Sequence, residues 1–158
     1  MEIERKFTIK ELPEDLESYE SKKLIQAYLS REPVVRVRRS NDKYYMTYKG
    51  SGLIAREEYN LPLTKESFEH LLAKADGNVI SKTRYLIPLK DPVFKDGYEI
   101  NPEVMLTIEL DVFDEPFSPL IIAEVEFPDK ETADAYIPEA WFMEDVSEDP
   151  RYHNSNMV

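Results

Sequence analysis

The first six residues, Met-Glu-Ile-Glu-Arg-Lys, constrain this chain more than any other stretch. As a β-strand they send Glu2, Glu4 and Lys6 to one face and Ile3, Arg5 and Phe7 to the other. Two carboxylates and an ammonium in a single row are costly to bury without partners. They suit a divalent cation and an anion held side by side. The chain then supplies such rows again and again: R-x-R at Arg36 and Arg38, T-x-K at Thr47 and Lys49, R-x-E at Arg56 and Glu58, K-x-R at Lys82 and Arg84, E-x-D at Glu109 and Asp111, and E-x-E at Glu124 and Glu126.

The spacing predicts strands over 1–9, 24–30, 34–39, 43–49, 55–63, 79–89, 104–113 and 120–127. Asn41-Asp42 and Gly50-Ser51-Gly52 supply turns. Helices are expected over Glu11–Lys23, over the stretch from Thr64 to Gly77 with Thr64 as N-cap, and over Asp129–Tyr136. The expected fold is therefore α+β: one domain, residues 1–158, built on an eight-stranded, mostly antiparallel β-barrel with a few flanking helices. A sheet with one solvated and one buried face would explain any single row. It does not explain why each sign is concentrated in its own strands, while Ile3, Phe7, Val35, Val37, Ile108, Leu110, Val125 and Phe127 fill the opposite face. The joint pattern points to a hydrated tunnel with a basic wall facing an acidic wall.

Composition narrows the chemistry. The net charge of −12 argues against nucleic acid or an anionic membrane as partner. Yet seven Lys/Arg stand against two acids between Arg31 and Arg56, so a basic patch persists inside an acidic chain. With no cysteine and only two histidines, a metal would be held by oxygen, which favours hard cations such as Mg²⁺, Mn²⁺ or Ca²⁺. No apolar run reaches membrane-spanning length and no signal peptide is evident, so a cytoplasmic location is expected. The two walls together suit a small polyphosphate bridging cations and arginines, and cleavage of its phosphoanhydride bond.

MEIERKF, QAYL, VRVRR, YMTYKG, KTRY, IELDVF, AEVEF and DVSEDPRYHNSNM, in this order, resemble the CYTH superfamily, or triphosphate tunnel metalloenzymes, along essentially the whole chain. The resemblance is to the short bacterial members and implies Mg²⁺- or Mn²⁺-dependent hydrolysis of a triphosphate, typically inorganic tripolyphosphate to diphosphate and phosphate. Adenylyl cyclase, nucleoside or thiamine triphosphatase, and a non-catalytic polyphosphate binder are the alternatives. It further implies Glu2, Glu4, Glu109, Asp111, Glu124 and Glu126 as metal-site acids. Lys6, Arg36, Arg38, Lys49, Arg56, Glu58 and Arg84 are implied to line the substrate site, with Tyr28 and Lys82 activating or orienting water. Related chains often carry a second acid where this one has Asn60. Trp141, Phe142 and Met143 would permit a homodimer.

Overall fold

The structure, a computed structural model, describes residues 1–157 apart from the side chain of Asn78. Its strands are β1 (Glu2–Ile9), β2 (Glu20–Arg31), β3 (Val34–Ser40), β4 (Lys43–Lys49), β5 (Ala55–Arg56), β6 (Glu58–Pro62), β7 (Asp76–Pro88), β8 (Val93–Phe94), β9 (Thr107–Phe113), β10 (Ile121–Glu126), β11 (Tyr136–Ile137) and β12 (Phe142–Asp145). The helices are α1 (Lys65–Leu72), α2 (Lys130–Ala135) and α3 (Asn154–Met157). One antiparallel sheet runs in the order β12-β1-β10-β9-β7-β2-β3-β4-β6, and β5, one residue upstream of β6, pairs back onto β1. The sheet thereby comes round almost full circle into the expected barrel. β8 and β11 form a separate two-stranded ribbon.

The expected count of eight strands is too low: nine lie along the path, with β5 beside it. The run 55–63 breaks at Glu57, where the chain turns from β1 to β4 as its partner. The tail adds β12 further along the same edge of β1, at Phe7 and Ile9, beyond the residues that β5 pairs. A second correction concerns the helix expected over Glu11–Lys23. Only one 3-10 turn forms, Leu16–Ser18, and β2 already starts at Glu20. Leu16 is the one buried residue of that turn, and the second half of the expected helix is taken by the sheet: Glu20–Ile25 pair in unbroken register with Ser81–Leu86 of β7. Helix α1 starts as expected, with a capping box between Thr64 and Ser67, but ends at Leu72, and Gly77 falls inside β7.

Strand parity puts charge inside and oil outside. The main core lies on the outer face of β1, β9, β10 and β7, where Phe7, Ile108, Leu110 and Val125 pack with Phe127, Tyr136 and Phe142. Arg5 ties α2 down over it by donating from Nη1 to the carbonyls of Ala133 (2.9 Å) and Tyr136 (2.7 Å). On the opposite side α1 covers β3 and β4 through Phe68, whose ring centroid lies 5.3 Å from that of Tyr44. Phe142 belongs to the main core and Trp141 packs edge-on against it, so only Met143 of the expected dimer-permitting trio is exposed.

Inside the barrel the lining changes along its length. Tyr28, Ile80, Phe113 and Ile122 share the inward parity of the charged rows but form an apolar cluster with Val34, against which Tyr152 and Met157 of the tail pack. The barrel is therefore stopped at one end by oil and by the C-terminal segment.

Candidate active site

The charged part of the interior is a cavity of about 370 Å³. Six carboxylates line it (Glu2, Glu4, Glu58, Glu109, Glu124, Glu126) and five cations (Lys6, Arg36, Arg38, Lys49, Arg84), together with Met1, Asn60 and Asn154. Sheet register explains the acidic wall. Glu4 lies opposite Glu126 and Lys6 opposite Glu124 across β1 and β10, and Glu124 lies opposite Glu109 across β10 and β9. The basic wall is β3, with Arg36 opposite Thr47 and Arg38 opposite Tyr45 of β4.

The cations differ in how they are held. Lys49 Nζ is 2.8 Å from Glu2 Oε1, and Lys6 Nζ stands 3.6 Å from Glu124 and 3.9 Å from Glu4. Arg84 is clamped: Nε and Nη2 donate to the two oxygens of Asp111 (2.7 and 2.9 Å) and Nη1 donates to Glu109 (2.7 Å). Arg38 donates from Nε to Gln26 Oε1 at 2.7 Å. Arg36 hydrogen-bonds Tyr28, and its buried Nε has no partner. Among the described residues neither Arg36 nor Arg38 forms an ion pair, so two buried guanidiniums face the cavity with no anion of the protein to satisfy them. Such groups are expensive to leave unpaired, and their planar forks match phosphate oxygens.

Of the fifteen expected site residues, eleven line this cavity. Asp111, Lys82, Tyr28 and Arg56 do not. Asp111 is 1% exposed, and beyond its two bonds from Arg84 its Oδ2 lies 2.7 Å from Lys82 Nζ, itself 0% exposed. Its lone pairs are thus occupied by two cations. Tyr28 sits behind Arg36, and Arg56 turns away, donating from Nε to Gly50 O at 3.0 Å. Asn60 and Asn154 join the lining. Asn60 accepts from Thr47 Oγ1 at 2.5 Å and donates to Glu58 at 3.2 Å, so it holds Glu58 toward the cavity. Alternation on β6 marks Asn60; Asn154 reaches the site only through the fold of the tail.

Crowding shows in the protonation of the acids. Burial, then neighbouring Glu124, push Glu4 up to about 8 against the pull of Lys6. Burial, opposed by Lys49 and aided by a hydrogen bond shared with Glu58, raises Glu2 to about 7. Glu58 goes the other way: against its own burial, the bond from Glu2 and the charge of Lys49 lower it. Glu124, although buried, is held well below the usual range by Lys6, Arg84 and Lys82. Burial, opposed by Asp111 and aided by Arg84, brings Lys82 down to about 8.

A divalent cation fits this donor set. The lining offers six carboxylates, and two of them, Glu2 and Glu4, are raised to about 7 and 8, so they hold protons near neutrality that a cation would replace. Among the described residues no three His, Cys, Asp or Glu side chains already form a ligand cluster. No helix among the described residues is long and apolar enough to cross a membrane.

The CYTH domain model matches residues 1–144. This chain belongs to the CYTH domain family. Two relatives, both named inorganic triphosphatase, support the membership. The CYTH chain is 36% identical to the one from Nitrosomonas europaea, over 99% of this chain and 96% of that one. It is also 36% identical to the one from Acetivibrio thermocellus, over 83% of this chain and 75% of that one. A solved structure of an inorganic triphosphatase superposes with a TM-score of 0.69 at 34% identity, covering 99% of this CYTH chain and 93% of the other.

Proposed function

We propose that this chain is a triphosphatase that hydrolyses inorganic tripolyphosphate to diphosphate and phosphate with the help of Mg²⁺ or Mn²⁺. One observation carries the reading: two buried, unpaired arginines face a wall of carboxylates across a single small cavity. The names of the two relatives point the same way. Arg36 and Arg38 would take the phosphate oxygens, with Lys6 and Lys49 exchanging their carboxylate partners for the substrate. Six acids against five cations leave the lining unable to neutralise a triphosphate unaided. A divalent cation held by Glu2, Glu4, Glu124 and Glu126, with Glu109 in reach, would supply that neutralisation and orient the chain. Lys82 and Tyr28 stand behind the lining, and we assign them to positioning: Lys82 with Asp111 fixes Arg84, and Tyr28 fixes Arg36. Phosphoryl transfer needs little more than such positioning and charge.

Phosphate release from tripolyphosphate, ATP and thiamine triphosphate, with Mg²⁺ or Mn²⁺ and then with chelator, tests the reading. Metal-dependent release from tripolyphosphate, faster than from the organic triphosphates, is expected. Tight binding without release would make the chain a polyphosphate binder instead.

The raised acids give a second expectation. A protonated carboxyl cannot ligate, so metal binding should release protons and strengthen as pH rises through about 7 to 8. The half-saturating metal concentration should fall about tenfold per pH unit for each proton displaced, then level off. Because folding raises both groups above their ordinary 4.5, what these two contribute to the stability of the metal-free fold is fully present below that pH and is lost as pH rises toward 8. Calorimetry in buffers of different ionisation enthalpy reads the proton count; a value of zero between pH 6 and 7 would sink the assignment of Glu2 and Glu4.

A further inference from the structure

Behind the tail lies a second cleft, of about 440 Å³, formed by the β2–β3 connection, the turn at Gly50–Gly52, Arg56, His153, Ser155 and Asn156. It is separated from the cavity by the chain itself: Asn154 lines the cavity, and its neighbour His153 lines the cleft. We propose that this cleft is a second site, one for inorganic phosphate, held by Arg56 and His153. The proposal rests on the triphosphatase reading only for the source of the ion, the released product.

The side chains are set up as donors. Arg56 spends Nε on Gly50 O and points Nη1 at His153 Nδ1, 3.5 Å away. Among the described residues its Nη2 donates to nothing. Since the guanidinium can only donate, Nδ1 accepts, and the imidazole proton sits on Nε2. That Nε2 is buried and has no partner, in a residue only 6% exposed. An orphaned buried donor beside an arginine with a free arm calls for an acceptor carrying negative charge. Burial, then Lys6, Arg56 and Lys49, push His153 down to about 4 against the pull of Glu124, so the imidazole stays neutral. Glu32 and Arg31 stand on the rim with opposite charges. One free guanidinium arm and one neutral donor suit a single phosphate group better than a chain, which would meet Glu32.

Only two histidines are present, so the imidazole spectrum has two sets of signals, and exposed His70 on α1 is an internal control. The experiment titrates inorganic phosphate into the full chain, at constant ionic strength and with chelator, following both rings by NMR. It is then repeated with saturating tripolyphosphate. Saturable movement of the His153 signals is expected, with His70 unmoved and the midpoint within threefold when tripolyphosphate fills the cavity. Arg56→Gln should weaken the response at least tenfold. Ser51→Asp, which adds a carboxylate at an exposed position of the cleft, should do the same without disturbing buried packing. An unmoved His153, or a response abolished by tripolyphosphate or insensitive to both variants, overturns the site. Phosphate release from tripolyphosphate by the same sample with metal reads the proposed activity separately, so a silent enzyme with a responding His153 overturns that reading alone.

Discussion

Replacing Asp111 by Asn should remove about 3–5 kcal/mol of folding stability, because it leaves buried cations without their counter-charge. Asp111 accepts from Nε and Nη2 of Arg84 and pairs with the ammonium of Lys82, and Asp111 and Lys82 are both fully buried. Arg84 retains Glu109 at 2.7 Å, but Lys82 retains no carboxylate at that distance. Urea unfolding measures the loss. Combining Asp111→Leu with Lys82→Met should recover much of it, since removing both charges avoids the unpaired one. Mn²⁺ affinity separates an anchor from a ligand. An Asp111→Asn protein that still folds should bind Mn²⁺ within about threefold of the parent if Asp111 serves Arg84, since truncating a true ligand or its close support weakens metal by 10–100-fold. A stability loss below about 1 kcal/mol, or a tenfold weaker Mn²⁺ site, would return Asp111 to the metal wall.

Arg36→Ala should lower kcat/KM for tripolyphosphate by about 10²- to 10³-fold, the scale for removing one preorganised donor from a dry site. The same change should leave the ligand-free fold as stable as before or more so, because a buried guanidinium with an orphaned Nε is a liability until an anion arrives. Opposite signs for activity and stability are the signature of a group kept for its ligand. Arg36→Lys restores charge but not the fork, and should recover only part of the rate. Turnover within threefold of the parent in Arg36→Ala would remove this residue from the phosphate site.

The barrel and its walls were legible because strand side chains alternate with period two, so charge written on alternate positions reports a face directly. Depth is not written that way. Lys82 and Arg84 share parity, and Asp111 and Glu109 share parity, yet one member of each pair is sealed and the other meets the cavity. Distance from the apolar stopper decides which, and that depends on the stagger of neighbouring strands. The break at Glu57 turned Arg56 out of the cavity although Glu58, two residues on, stayed in it. A two-residue spacing predicts a shared face only while the strand keeps one partner. The acidic segment after β1 misled for another reason. Its composition and the spacing of Leu12, Leu16 and Tyr19 permit a helix, but the long pairing of β2 with β7 claims its second half.

The apolar stopper built from Tyr28, Ile80, Phe113 and Ile122, with the tail packed against it, turns a tunnel into a ruler. On the proposed reading, a phosphate chain would enter from the opposite mouth and halt where the charged lining gives way to oil. The bond presented to the acidic wall is then fixed by counting from the inserted tip, whatever follows outside. On the proposed triphosphatase reading, such a pocket would address the end of a phosphate chain rather than its middle.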